Sequence, residues 1–179
     1  MKKVICVGRV DAEKRPEDAI EITRRVRQTI PDTELIWIGE GTLFKKCKKL
    51  EEKESFIHFV GQIGSPKSKE RLKLLRSSDV LVSTSQREGF CVPIGEAFLA
   101  GLPVIAYDLP VYRSVYENTV IYIPCFRIDV FVKAVIDVLL NPDRYKPFIE
   151  KGCRLVREKY SVPNVAKRIE DALEMLLLT

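Results

Sequence analysis

Apolar positions along this chain come in two rhythms. Six short runs, at residues 3–8, 34–39, 56–60, 79–84, 104–107 and 120–123, are nearly continuous in apolar side chains and have the length of buried strands. Between them the spacing becomes helical. Ala19, Ile22, Val26 and Ile30 recur after Pro16 and predict a helix over residues 16–29. Thr42 is predicted to cap a charged helix that runs to residue 54. Further helices are predicted over residues 67–77, 94–100, 112–117, 128–140, 142–160 and 163–178, with Gly101 and Pro103 stopping the one that ends at Ala100.

Strands that alternate with helices imply an α/β fold, in which both faces of a parallel sheet are covered. Right-handed crossovers and a count of six predict a doubly wound, Rossmann-like sheet of order 3-2-1-4-5-6, with extra C-terminal helices. Strands one and four are then neighbours where the order reverses. Open sheets bind ligands there, outside the carboxyl ends of the strands. That end of strand one leads to Arg9 and Lys14, and that of strand four to Glu88 and Gly89.

The stretch from Gln86 to Glu96 carries the densest candidate chemistry. It reads as a strand-to-helix turn, with Gly89 for the bend and Pro93 in the first helical turn, where a missing N–H is no loss. The N–H groups of Phe90, Cys91 and Val92 then face outward from a helix start, where an anion is favoured. Glu88 and Glu96 bracket the turn. An anion pocket flanked by acceptors for hydroxyl groups suits a phosphorylated sugar. Local sequence also fits an ordinary turn with solvated acids.

Composition narrows the rest. The 179 residues suggest one domain, and 46% hydrophobic residues supply a sizeable core. A net charge of +5 is mild for a nucleic-acid binder, and the lysines at 45, 46, 48 and 49 are followed at once by Glu51, Glu52 and Glu54, as on a solvated helix face. Five cysteines without a CxxC pair argue against a zinc site or a disulfide framework and for a reducing, cytoplasmic setting. Neither a Walker A pattern nor G-x-G-x-x-G after strand one is present, which disfavours a P-loop nucleotidase and an ordinary nicotinamide dehydrogenase. His58 reads as a structural strand residue, and Trp37 as core.

With these residues in place, the chain resembles the C-terminal, donor-binding half of a retaining glycosyltransferase with the GT-B fold, most nearly family 4 of the group 1 type. Val7-Gly8-Arg9 followed by Lys14 resembles that family's G-R-x(4–5)-K segment. Ile38-Gly39-Glu40-Gly41 resembles its G-x-G, and Phe59-Val60-Gly61-Gln62-Ile63 its F-x-G-x-hydrophobic segment. Glu88 and Glu96, with seven residues between them, match E-x7-E. The resemblance implies transfer of a sugar from a nucleoside-diphosphate sugar with retention at the anomeric carbon. It assigns Arg9, Lys14 and the amides of Phe90, Cys91 and Val92 to the donor diphosphate. Glu88 becomes the catalytic carboxylate facing the donor sugar with Gly89 and Phe90; Glu96 takes the ribose hydroxyls and Ile63 the base. No metal or other cofactor is implied, because fixed cations and amides stabilise the departing diphosphate.

The favoured donor is GDP-mannose, on a loose resemblance to mannosyltransferases, with other nucleoside-diphosphate sugars open. By that resemblance the acceptor, a glycan or lipid-linked molecule, is expected to bind an N-terminal domain outside residues 1–179, which are expected to form a single nucleotide-sugar-binding domain with little or no turnover alone. Residues 163–179 are expected to pack on the missing half, and peripheral contact with the inner face of a membrane fits such enzymes. No nucleic acid is expected as a partner. A nucleotide-sugar epimerase half-domain and a non-catalytic doubly wound interaction module remain the alternatives. Cys91 stands where relatives usually place glycine.

Overall fold

The computed structural model describes residues 1–64 and 68–177, without the side chain of the last residue. Six strands form one sheet: β1 (Lys2–Val7), β2 (Thr33–Ile38), β3 (Ile57–Gly61), β4 (Val80–Ser83), β5 (Val104–Tyr107) and β6 (Ile121–Ile123). All pair in parallel, in the order β3-β2-β1-β4-β5-β6. The helices are α1 (Pro16–Val26), α2 (Phe44–Glu51), α3 (Lys69–Arg76), α4 (Val92–Ala100), α5 (Pro110–Tyr116), α6 (Ile128–Leu140), α7 (Lys146–Tyr160) and α8 (Val162–Leu177). Each strand and the sheet order agree with the sequence expectation.

The apolar runs are continuous because both faces of the sheet are buried. Strand alternation sends Val4 and Cys6 of β1 to one face, with Ala19, Ile22 and Val26 of α1 and Phe131 and Val135 of α6. Ile5 goes to the other, against Ile94 and Phe98 of α4, Tyr112 and Tyr116 of α5 and Val156 of α7. Among those helices α4 is the most apolar. Gly152 of α7 lies so close to it that an added Cβ would sit 2.6 Å from the Phe98 ring.

Several helix ends differ from expectation, each for a local reason. Thr42 is not a cap: its N–H and hydroxyl both donate to Asp11 Oδ1, at 2.7 and 2.8 Å, and α2 starts only at Phe44. That helix ends at Glu51, whose carboxylate accepts from the Phe59 N–H and from Lys48. Residues 142–160 are not one helix. Pro142–Tyr145 is a 3-10 turn, and Pro147 lies in the first turn of α7, where its missing N–H costs nothing. The expected start of α3 at Lys67 and the expected end at Leu178 lie outside the described residues; α3 is capped by Ser68, whose Oγ accepts from the Arg71 N–H at 3.2 Å.

Candidate functional site

Pairing of Val4 with Val80 and of Ile5 with Leu81 sets the carboxyl ends of β1 and β4 side by side. Trp37 fixes the first of them. Its ring stacks on Phe59 at 5.8 Å, and its Nε1 donates to the Gly8 carbonyl at 2.9 Å. The chain after β1 then makes a 3-10 turn at Ala12–Lys14 and enters α1 through Arg15, whose φ of 48° is left-handed. Arg15 holds that strained geometry by donating Nε and Nη2 to Asp18, at 2.7 and 2.8 Å. Tyr107 Oη donates to the same carboxylate at 2.6 Å, and burial together with Asp18 raises the Tyr107 phenol well above its ordinary value.

The loop after β4 is stitched to this turn. The buried Thr84 hydroxyl is shared between the carbonyls of Lys14 and Arg15, at 2.8 and 3.1 Å, and the Gln86 N–H donates to the Glu13 carbonyl at 2.9 Å. Lys14 Nζ thereby comes 2.6 Å from Glu88 Oε1, with side chains 15% and 13% exposed. Ser85 Oγ donates to the same oxygen at 2.8 Å. Glu88 Oε2 has no partner among the described residues and remains open to a hydroxyl donor. Lys14 likewise keeps two N–H donors for an acceptor such as a phosphate oxygen.

The turn into α4 bends differently from expectation. Gly89 does not have positive φ; Cys91 does, at 63°, as N-cap of the helix. The required left-handed residue is therefore a cysteine, in the region that favours glycine. Its carbonyl accepts from Tyr116 Oη at 2.9 Å, which anchors the turn. Burial, with the Glu88 charge second, pushes its thiol up to about 12, so it is a poor nucleophile. The N–H groups of Phe90, Cys91 and Val92 have no acceptor among the described residues, and Phe90 packs edge-on against Tyr160 at 5.0 Å.

The remaining predicted residues surround this centre less tightly. Glu96 lies on α4 and pairs with Arg71 of α3 at 2.5 Å. Ile63, in the loop after β3, packs on the face that holds α4. Arg9 is 70% exposed and donates Nε to Asp11 at 2.5 Å; it does not reach Glu88. Asp11 is a hub that the sequence reading missed. It also accepts from Thr42, and these donors hold its carboxyl down at about 2. Gly39 and Gly41 are needed for this contact between loops. An added Cβ would lie 2.0 Å from the Gly8 carbonyl oxygen at Gly39 and 2.6 Å from Asp11 Oδ1 at Gly41. Ser85, Thr84 and Arg71 were missed as well. Arg71 had a signal: it precedes Leu75 by one helical turn, and Leu75 is buried.

A sequence model of the family described as "Glycosyl transferases group 1" matches residues 1–155. The chain belongs to that family. It is 26% identical over 181 aligned residues to the poly(glycerol-phosphate) alpha-glucosyltransferase of Bacillus subtilis, covering 98% of this chain and 26% of that protein. It is equally 26% identical to a phosphatidyl-myo-inositol mannosyltransferase of Mycobacterium tuberculosis, over 97% of this chain and 47% of the relative. The chain thus spans less than half the length of these two relatives. In three dimensions it resembles a Staphylococcus aureus TarM mutant solved with fondaparinux, alpha-GlcNAc-glycerol and UDP. The TM-score is 0.82 at 23% identity, covering 95% of this chain and 35% of that one. This likeness shows the fold, and the chain is a glycosyltransferase-family α/β domain.

Proposed function

We propose that this chain binds the donor of a retaining, family 4 glycosyltransferase, a nucleoside-diphosphate hexose, in the crevice between the β1 and β4 loops. The observation that carries the reading is the Lys14–Glu88 pair beside the unpaired amides at the start of α4. Lys14 and those amides of Phe90, Cys91 and Val92 take the diphosphate and stabilise the charge that develops on it as the sugar leaves. Arg9, whose Nη1 and Nη2 have no partner among the described residues, closes on the phosphates from the rim and adds a planar fork. Glu88 presents Oε2 to the sugar hydroxyls beside Gly89 and Phe90, Glu96 takes the ribose, and Ile63 meets the base through its main chain.

Charge on the leaving diphosphate is met by fixed groups of the protein, so the proposed reaction needs no divalent metal. A carboxylate pair of the glycosidase kind is not required either, since the leaving group is already a good one. Mannose from GDP-mannose is the donor sugar proposed first, in keeping with the mannosyltransferase relative. UDP-glucose is the competing donor, in keeping with the glucosyltransferase relative and the UDP-bound structure. The acceptor, a glycan or lipid-linked molecule, is proposed to bind a second domain of the kind that the longer relatives have room for. Helix α8, with Ile169 and Leu173 more than half exposed, would pack against that domain. The proposed setting is the cytoplasm, at the inner face of a membrane.

The test is product analysis with an acceptor and both donors, using this chain joined to such a domain. A glycoside with the anomeric configuration of the donor supports the reading. An inverted glycoside contradicts retention, and an epimerised nucleotide sugar without transfer favours the epimerase alternative.

A further inference from the structure

Each carboxylate of the Glu88/Glu96 pair is held the same way. One oxygen is tied by a cation, and the other has no partner among the described residues. For Glu88 the cation is Lys14, on Oε1. For Glu96 it is Arg71, whose Nη2 donates to Oε2 with the two side chains 14% and 17% exposed. Arg71 is anchored for this at the start of α3, where its own N–H donates to the Ser68 cap.

Arg71 is also poorly satisfied. Its Nε is buried and has no hydrogen-bond acceptor among the described residues. A buried guanidinium with an unmade bond costs free energy, and an apolar residue of similar volume facing the same helix would avoid that cost. Packing therefore gives no reason for an arginine here. Holding Glu96 does. A lone glutamate in this half-buried position has several rotamers, and pairing at Oε2 selects one while Oε1 stays open.

We infer that Arg71 is the positioning residue for Glu96: through the Arg71–Glu96 contact it aims Glu96 Oε1 at the vicinal hydroxyls of a nucleotide ribose. The inference rests on the nucleotide-binding reading above and adds a residue on a different helix. Its signature is selective. Loss of Arg71 removes discrimination for the ribose hydroxyls and leaves the contribution of the diphosphate, which Lys14 and the α4 amides supply.

The experiment measures, by calorimetry, the affinity of the wild type, Arg71→Met and Arg71→Lys for UDP and for 2′,3′-dideoxy-UDP, with GDP and its dideoxy form in parallel. The wild type is expected to prefer the ribonucleotide by about tenfold, the size of one charge-assisted hydrogen bond. In Arg71→Met the preference drops below about twofold with dideoxynucleotide affinity unchanged, and Arg71→Lys, which keeps the charge, retains part of it. A merely structural role would weaken both ligands together or neither. An unchanged preference in Arg71→Met overturns the inference. So does a wild type that binds nucleotides without preferring the ribose form. Binding of no nucleotide by the wild type counts instead against the nucleotide-binding reading. Should Arg71→Met fail to melt cooperatively, a wild-type preference in Arg71→Gln overturns the inference equally, because a neutral amide cannot replace the guanidinium.

Discussion

Lys14 Nζ and Glu88 Oε1 lie 2.6 Å apart across the junction of two loops that are 74 residues distant in sequence. Neither loop would hold its residue there alone. Thr84 pins the Lys14 main chain, and Ser85 shares the Glu88 oxygen, so the pair is placed by the residues that follow β4. Removing Lys14 leaves a largely buried carboxylate without its cation. Lys14→Ala is expected to cost about 1–3 kcal/mol of stability in urea unfolding. In calorimetry it should weaken nucleoside diphosphate binding by at least about tenfold, as for a charge-assisted contact. An affinity equal to wild type would remove Lys14 from the site.

Arg9 is more exposed and already engaged by Asp11. Its contribution should be smaller. Arg9→Ala is expected to weaken nucleotide binding by about 1 kcal/mol, with melting temperature little changed. A loss larger than that of Lys14→Ala would invert the proposed division of labour.

Gly39 is a steric requirement. A Cβ there meets the Gly8 carbonyl oxygen at 2.0 Å, and φ is 137°. Gly39→Ala must push the β1 loop away from β2. A destabilisation of roughly 2–4 kcal/mol is expected, the range for strained backbone and overpacking. Gly89, whose added Cβ meets nothing within 4 Å, should accept alanine with a far smaller loss of stability. Paired melting curves of the two variants check the contrast.

Cys91 carries a pH prediction. Its thiol lies at about 12 when folded, against an ordinary 9.0. The folded state holds that proton more tightly than the unfolded chain. The contribution to stability is therefore complete below about pH 9 and is lost as pH rises from there towards 12. Alkylation at pH 8 should be slower than for an ordinary thiol by on the order of a thousandfold. Cys91→Ala should flatten the decline of stability above pH 9. Rapid labelling of Cys91 in the folded protein at pH 8 would contradict the raised thiol.

The order of strands was legible because each apolar run is buried on both faces, and six such runs between helices leave few topologies. The Glu88/Glu96 pair stood out only through the ordered set of motifs that resembles a family, because two glutamates at that spacing are a weak signal by themselves. The connections were not legible. Asp11 lies in a charged run, Asp11 to Arg15, that reads as solvated, yet it accepts from Thr42, which the sequence predicts as a cap. Sequence points to Gly89 for the bend before α4 because glycine is the usual occupant of such turns, while the chain uses Cys91 as its left-handed residue. Arg71 is one of several basic residues on α3, and only its partner in α4 sets it apart. Pairings between segments distant in sequence leave no local pattern to read.

The claim beneath all of this is that the crevice at the ends of β1 and β4 receives a nucleoside diphosphate. Titration calorimetry of this chain with UDP, GDP and ADP, each with and without EDTA, tests it most directly. The account predicts saturable one-site binding of at least one of them, unaffected by EDTA and abolished or strongly weakened in Lys14→Ala. Binding of none of the three, or binding that Lys14→Ala leaves intact, would contradict it.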